Sequence, residues 1–132
     1  MDAHEGRRAL NKAFSLDGRG REEEAVPYYL RALRAGLDGE DYKDALIGLA
    51  SSYRNIGCLK AAKRTIEKAR RTFQDDPVVE AFYALILHDR GEYARALKVL
   101  GRAFVKSSSE EMLGGYRQAL SRKFNALTRR RR

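Results

Sequence analysis

Catalysis would have to come from very few side chains in this chain. His4 and His88 are the only histidines, Cys58 is the only cysteine, and the longest serine run is Ser107-Ser108-Ser109. A metal site needs several such ligands at short spacing, and a nucleophilic serine or cysteine needs a base held against it. Neither pattern occurs: no cysteine or paired carboxylate stands at ligand spacing from a histidine, and no base is in register with the serines. The glycine-rich stretches are short turns, and none follows a strand in the manner of a phosphate-binding loop. The expectation is a protein that is not an enzyme and holds no metal or cofactor. Ser108 with Glu111 three residues later fits the reciprocal cap of a helix start, and Glu22 to Glu24 and Asp75-Asp76 fit the positive end of a helix dipole.

Binding chemistry has more to draw on. Arg54 carries a planar guanidinium suited to a carboxylate or to backbone carbonyls. The formal charge is +9, and it is unevenly spread. Acidic residues gather at Glu22 to Glu24 and at Asp38, Glu40, Asp41 and Asp44. None follows Glu111, whereas Arg117, Arg122, Lys123 and Arg129 to Arg132 accumulate there. A second basic cluster runs through Lys60, Lys63, Arg64, Lys68, Arg70 and Arg71. Basic patches attract nucleic acid by releasing counterions. Base binding also wants exposed aromatics between the charges, and most aromatics here are expected at packing positions. The segment formed by Arg122, Lys123, Arg129, Arg130, Arg131 and Arg132 is therefore expected to make non-specific contact with nucleic acid or an acidic protein, if it binds at all.

Compartment follows from what the ends and the cysteine count allow. One cysteine makes no internal disulfide, which suits a reducing compartment. The start, Met1-Asp2-Ala3-His4-Glu5, lacks a secretory signal. No stretch approaches the ~20 apolar residues that span a bilayer. A cytoplasmic protein away from membranes is expected.

Helices must position these groups. Alanine, leucine, arginine, lysine and glutamate dominate, and they are strong helix formers. The apolar spacing is helical: Leu46, Leu49, Ala50 and Tyr53 form one stripe, and Leu59, Ala62, Ile66 and Ala69 form the next. Small residues recur at fixed offsets. Gly20, Gly57 and Gly91 each precede an alanine by five positions (Ala25, Ala62, Ala96). Each of those alanines precedes another by seven (Ala32, Ala69, Ala103) and follows another by twelve (Ala13, Ala50, Ala84). Such recurrence marks one supersecondary unit stacked on copies of itself. Gly57 to Gly91 spans 34 residues and Gly20 to Gly57 spans 37; the three extra residues are expected between the units, in Ala35 to Gly39. Pro27 predicts a kink in its helix. Asp76 and Pro77 predict an N-cap and first helical residue. After Ser108, Leu113, Tyr116, Leu120, Phe124 and Leu127 line one side of a closing helix, within which Gly114-Gly115 predicts a close contact or a bend.

A helical pair with a period of 34, small residues at these offsets and a following proline resembles the tetratricopeptide repeat. The second unit matches through Leu46, Leu49, Ala50, Tyr53, Gly57, Ala62, Ile66, Ala69 and Pro77, and the third through Tyr83, Ala84, Leu87, Gly91, Tyr93, Ala96, Leu100 and Ala103. The first keeps Ala13, Leu16, Gly20, Ala25, Tyr29 and Ala32 but has Ala9 where a large residue usually opens the repeat. The layout resembles that of short, free-standing bacterial three-repeat members. The resemblance implies an all-α, right-handed superhelix of three helical hairpins and a C-terminal capping helix, seven helices in all. Residues 3–106 would hold the repeats (about 3–37, 40–74 and 77–106), residues 108–128 the cap, and residues 129–132 a basic disordered tail.

The resemblance also implies a concave groove lined by the first helix of each repeat, which takes a peptide or a partner's helix. Carried onto this sequence, the groove side is Arg7, Leu10 and Phe14, then Ile47, Ser51, Arg54 and Asn55, then Ala81, Leu85, His88 and Asp89. The positions at which one subclass clamps a chaperone's C-terminal carboxylate hold Leu10, Phe14, Gly48, Val78 and Phe82, so no such clamp is implied. Arg54 and His88 hold equivalent positions. The implied function is a protein-interaction module for an unknown protein or peptide, with Phe14, Ile47 and Leu85 as apolar contacts and Arg54 as anchor. The alternative is a basic adaptor that works through residues 117–132. Residues 3–16 have no preceding repeat to shield them, which leaves monomer and homodimer both open.

Overall fold

The computed structural model describes residues 3–127. Among them run eight helices and no strand: α1 (Ala3–Gly18), α2 (Glu22–Arg34), α3 (Gly39–Asn55), α4 (Leu59–Thr72), α5 (Pro77–Asp89), α6 (Tyr93–Ser107), α7 (Glu110–Leu113) and α8 (Arg117–Asn125). The chain divides between Thr72 and Phe73 into two compact units. In the first, α1 pairs with α2 and α3 with α4, and α2 packs on α3. In the second, α5 pairs with α6 and α8 returns onto α6. The fold is all-helical and built of repeated hairpins, as the small-residue offsets predict.

Each hairpin turns by the same device. Gly20, Gly57 and Gly91 adopt left-handed φ values of 77°, 87° and 85°, a region where a Cβ is costly. In every case the next residue donates its amide to the carbonyl five positions back: Arg21 to Leu16 at 2.9 Å, Cys58 to Tyr53 at 2.8 Å and Glu92 to Leu87 at 2.9 Å. The glycine amide also donates to the carbonyl three positions back (Gly20 to Asp17, Gly57 to Arg54, Gly91 to His88), so two orphan carbonyls at each helix end are satisfied by main chain alone. The second helix begins one residue later each time. At the start of α5, Asp76 accepts from the amides of Val78 (2.9 Å) and Val79 (3.1 Å), with Pro77 in the first turn. Pro27 lies inside the continuous span of α2.

The extra length of the first repeat sits elsewhere than expected. Residues 35–38 and 73–76 connect the repeats with segments of equal length, while α3 has 17 residues and α5 has 13. The surplus is an additional helical turn at the front of α3. Glu40 and Asp41 in that turn complement the helix dipole, and Arg7 of α1 reaches Asp41 at 2.7 Å. Turn-forming residues at 35–39 suggested a longer loop, but carboxylates at a helix start extended the helix instead.

Most of the alanines that recur in the sequence are enclosed between helices. Ala13, Ala25, Ala32, Ala50, Ala62, Ala69, Ala84 and Ala96 are buried, and Ala103 is half-buried. Between the first two hairpins the approach is closest at Tyr29 of α2. Its ring is fully buried and rests on Gly48 of α3, where any Cβ would overlap the phenol. The phenol donates to Asp17 Oδ2 of α1 at 2.7 Å, and the buried hydroxyl of Ser52 lies 3.5 Å from the same oxygen. Three helices thus converge on one buried aromatic. Phe14 meets its edge, with centroids 6.0 Å apart.

The closing segment differs from the single helix expected over 108–128. Gly114 and Gly115, at φ 56° and 86°, break it into α7 and α8, giving eight helices in place of seven. The N-cap is Ser109, which accepts from the Met112 amide at 3.1 Å; Ser108 instead bonds Phe104 O at 2.6 Å. The break lets α8 lay Phe124 over Gly101, another place with no room for a Cβ. Arg117 secures it, bonding Glu110 at 2.6 Å and Val105 O at 2.7 Å together with Ser108 O. The unpaired carbonyls at the end of α6 receive a charged donor in this way.

Alanine for glycine in a helix ordinarily stabilises by up to about 1 kcal/mol. At Gly48 the sign should invert, because overpacking costs about 1–3 kcal/mol: Gly48→Ala is expected to lower the urea midpoint, and a rise would refute the contact with Tyr29. Burial, then the bond to Asp17, raises the Tyr29 pKa far above its usual value. The unfolded chain ionises this phenol near pH ~10 while the folded chain does not, so the stabilisation holds below that pH and is lost above it. Denaturation between neutral and strongly alkaline pH should show a shallower alkaline decline for Tyr29→Phe than for wild type.

Candidate functional site

The expected binding residues lie on the first helix of each hairpin. In the first unit, Phe14 on α1 is 41% exposed although it is a large aromatic. Arg7 is exposed and tied to Asp41. Leu10 is 2% exposed and belongs to the core of the first unit. Ile47, Ser51 and Arg54 on α3 are half-buried, and Asn55 is exposed, with its amide 3.5 Å from Glu22 Oε1. In the second unit, Leu85 on α5 is 43% exposed, with half-buried Ala81 one turn before it and exposed His88 one turn after. His88 Nδ1 lies 3.1 Å from Asp89 Oδ1, and its ring meets Tyr93 at 5.1 Å edge to face.

The repeat offsets give these residues a common logic. Phe14, Ser51 and Leu85 occupy one repeat position, and Leu10, Ile47 and Ala81 another. Leu10 of the second set is drawn into the core beside Ala9 and Ala13. Phe14 and Leu85 of the first set stay open on their own helices. Phe14 in the first unit and Leu85 in the second are thus exposed apolar side chains at one recurring position, and His88 stands one turn after Leu85 on α5.

A concavity lies within the first unit between α2, α3 and α4, with a volume of about 680 Å³. Its floor is Leu30, Leu33, Leu46, Leu49 and Tyr53, and Arg34, Arg64, Lys68 and Arg71 stand around it with Glu67. Arg64, Lys68 and Arg71 follow i, i+4, i+7 spacing, so one face of α4 delivers all three. That spacing was visible in the sequence, but the apolar floor beneath it comes from other helices, Leu30 and Leu33 from α2 and Leu46, Leu49 and Tyr53 from α3. Lys63 is drawn toward Glu67 at 3.9 Å.

The residues with catalytic chemistry are spread apart or committed. Cys58 is an exposed thiol in a hairpin turn. Ser107 and Ser108 both approach Phe104 O, and Ser109 caps α7. Among the described residues, no group of three or more His, Cys, Asp and Glu could hold a metal ion, and no helix is long and apolar enough to cross a membrane. Arg122 and Lys123 are exposed on α8, while Arg129, Arg130, Arg131 and Arg132 fall outside the described residues.

No curated protein matches the chain. A family model described as Tetratrico peptide repeat matches residues 6–109, which takes in all three hairpins. With its three glycine-closed helical pairs and buried alanines at matching offsets, the chain belongs to the tetratricopeptide repeat family, whose members are in general non-enzymatic protein–protein interaction modules.

Proposed function

We propose that this chain docks a short peptide or a partner's helix against the open faces of its first helices. Phe14, Ile47 and Leu85 supply apolar contacts, and Ser51, Arg54, Asn55 and His88 supply polar ones. The observation that carries the reading is the exposure of Phe14 and Leu85 at one repeat position. Large apolar side chains left in water at a recurring site are what a partner can bury at a gain of about 25 cal/mol per Å². Leu85 stands at the surface, whereas Phe14 also meets the edge of buried Tyr29, so thermal melts of the variants must accompany the binding test.

One observation favours a second reading. α8 bears Arg117, Arg122 and Lys123 and no acidic residue, and four arginines follow it in the sequence. A basic adaptor working through residues 117–132 would bind polyanions by counterion release, with affinity falling steeply as salt rises.

Affinity capture with the full chain separates the two. The Phe14→Ala, Leu85→Ala double variant should lose the bound partner, whereas removal of residues 128–132 should leave it in place. Loss on truncation alone, with retention by the double variant, would refute docking on the first helices. In a filter-binding assay with duplex DNA, the second reading requires an affinity drop of at least about tenfold between 50 and 200 mM salt.

A further inference from the structure

Two kinds of side chain meet in the concavity between α2, α3 and α4. Its floor is mainly aliphatic, with Leu30 and Leu33 from α2 and Leu46 and Leu49 from α3. Thr65 of α4 stands beside them, and its hydroxyl is already used, donating to Ala61 O at 2.8 Å. Around the floor are Arg34, in the last turn of α2, and Arg64, Lys68 and Arg71 on α4. From Arg64 to Arg71 the helix rises about 10 Å at 1.5 Å per residue.

The side chains of these four residues make no ion pair or hydrogen bond among the described residues. Glu67 is the carboxylate of the lining, and Lys63 reaches it at 3.9 Å. Four cations thus border an apolar hollow, and no protein carboxylate is paired to any of them. The first-helix docking residues, Phe14, Ile47, Arg54 and Leu85 among them, do not line it.

We propose that this hollow is a separate binding site for a short acidic peptide segment with aliphatic side chains between its carboxylates. Its volume, about 680 Å³, falls within the ~300–1,000 Å³ of ligand sites. Charge sets the first condition. One anionic headgroup cannot meet cations spread along about 10 Å of α4 and across to α2, so the occupant carries several anions. Three of the four cations are arginines, whose planar fork accepts a carboxylate in two parallel bonds. The floor sets the second. Tyr53 is its single aromatic, whereas single-stranded nucleic acid needs successive aromatic faces for its bases. Depth sets the third. Leu46 and Leu49 are 1% and 3% exposed, while Arg64, Lys68 and Arg71 are exposed above them. A bilayer requires the reverse order, with apolar groups reaching deeper into it than the cations. A peptide meets all three conditions, setting carboxylates on the cations and aliphatic carbon on the leucines.

The probe is a labelled synthetic peptide with two leucines flanked on each side by two glutamates. Fluorescence anisotropy with the full chain, at about 0.15 M salt, should show saturable binding. Arg64→Glu with Lys68→Glu should weaken it at least about tenfold, as like charges brought together require. Arg64→Gln with Lys68→Gln should weaken it less. Both side chains are exposed, and thermal melts of the variants confirm that they fold. Arg122→Glu with Lys123→Glu changes the net charge equally. It should leave binding within about twofold, because charges beyond about 8 Å are screened at this salt. Serine in place of the two leucines of the peptide should cost at least about tenfold, as the loss of buried aliphatic carbon does. Absence of binding, equal binding of the serine peptide, or equal effects of the two charge reversals overturns the proposal. So does stronger competition from an oligothymidylate or from phosphatidylserine vesicles of the same total charge than from unlabelled peptide, since the occupant is then a nucleic acid or a membrane. The Phe14→Ala, Leu85→Ala variant should bind the peptide as wild type does; loss there places the peptide on the first helices and overturns the proposal as well.

Discussion

The first unit depends on how closely two helical hairpins can approach, and that distance is set where the Tyr29 ring lies on Gly48. The phenol is large enough to exclude water from the junction, and the glycine lets α3 come down onto it. Burying its hydroxyl without a partner would cost about 1–3 kcal/mol, and Asp17 removes that penalty at 2.7 Å. The same carboxylate lies within reach of Ser52, so α1, α2 and α3 share one polar anchor inside an otherwise apolar core. The alanines around it serve the same end with less specificity, keeping helix axes close without dictating register.

The second unit uses the same principle at its closing helix, with Phe124 over Gly101. There the aromatic and the glycine exchange places: the later helix brings the ring and the earlier one makes room. This arrangement holds α8 by an edge of α6 and leaves an apolar stripe of α6 in water. A repeat protein buries each hairpin against its neighbour. Among the described residues nothing covers the stripe of Tyr93, Leu97, Leu100 and Phe104, and it stands exposed.

Much of this architecture was legible from local chemistry. Glycines at 20, 57 and 91 announced three identical turns because the left-handed conformation is needed at each. Asp76 and Pro77 announced the start of α5 because capping involves only neighbouring residues. Features that rest on distant partners were not legible. Nothing near Gly48 points to Tyr29, and nothing near Gly101 points to Phe124. The added turn of α3 was misplaced to a loop because turn-forming residues at 35–39 and helix-start carboxylates at 40, 41 and 44 compete over the same stretch. Of the binding residues, the helical phase brought Phe14 and Leu85 to the surface, but it could not reveal that Leu10 is enclosed by its neighbours on α1 and α2. The i, i+4, i+7 basic row on α4 was visible, and the leucines beneath it belong to helices encountered earlier in the chain.

The hairpin joints are closed by main-chain bonds, and only their glycine is stereochemically constrained. The residue after it is an arginine in one joint, a cysteine in the next and a glutamate in the third, and the amide geometry is the same in all three. Side-chain identity at these tips is thus uncoupled from foldability. Cationic, nucleophilic and anionic groups are displayed on equally rigid mounts, so a scaffold of this kind can diversify its rim chemistry by single substitutions without renegotiating its architecture.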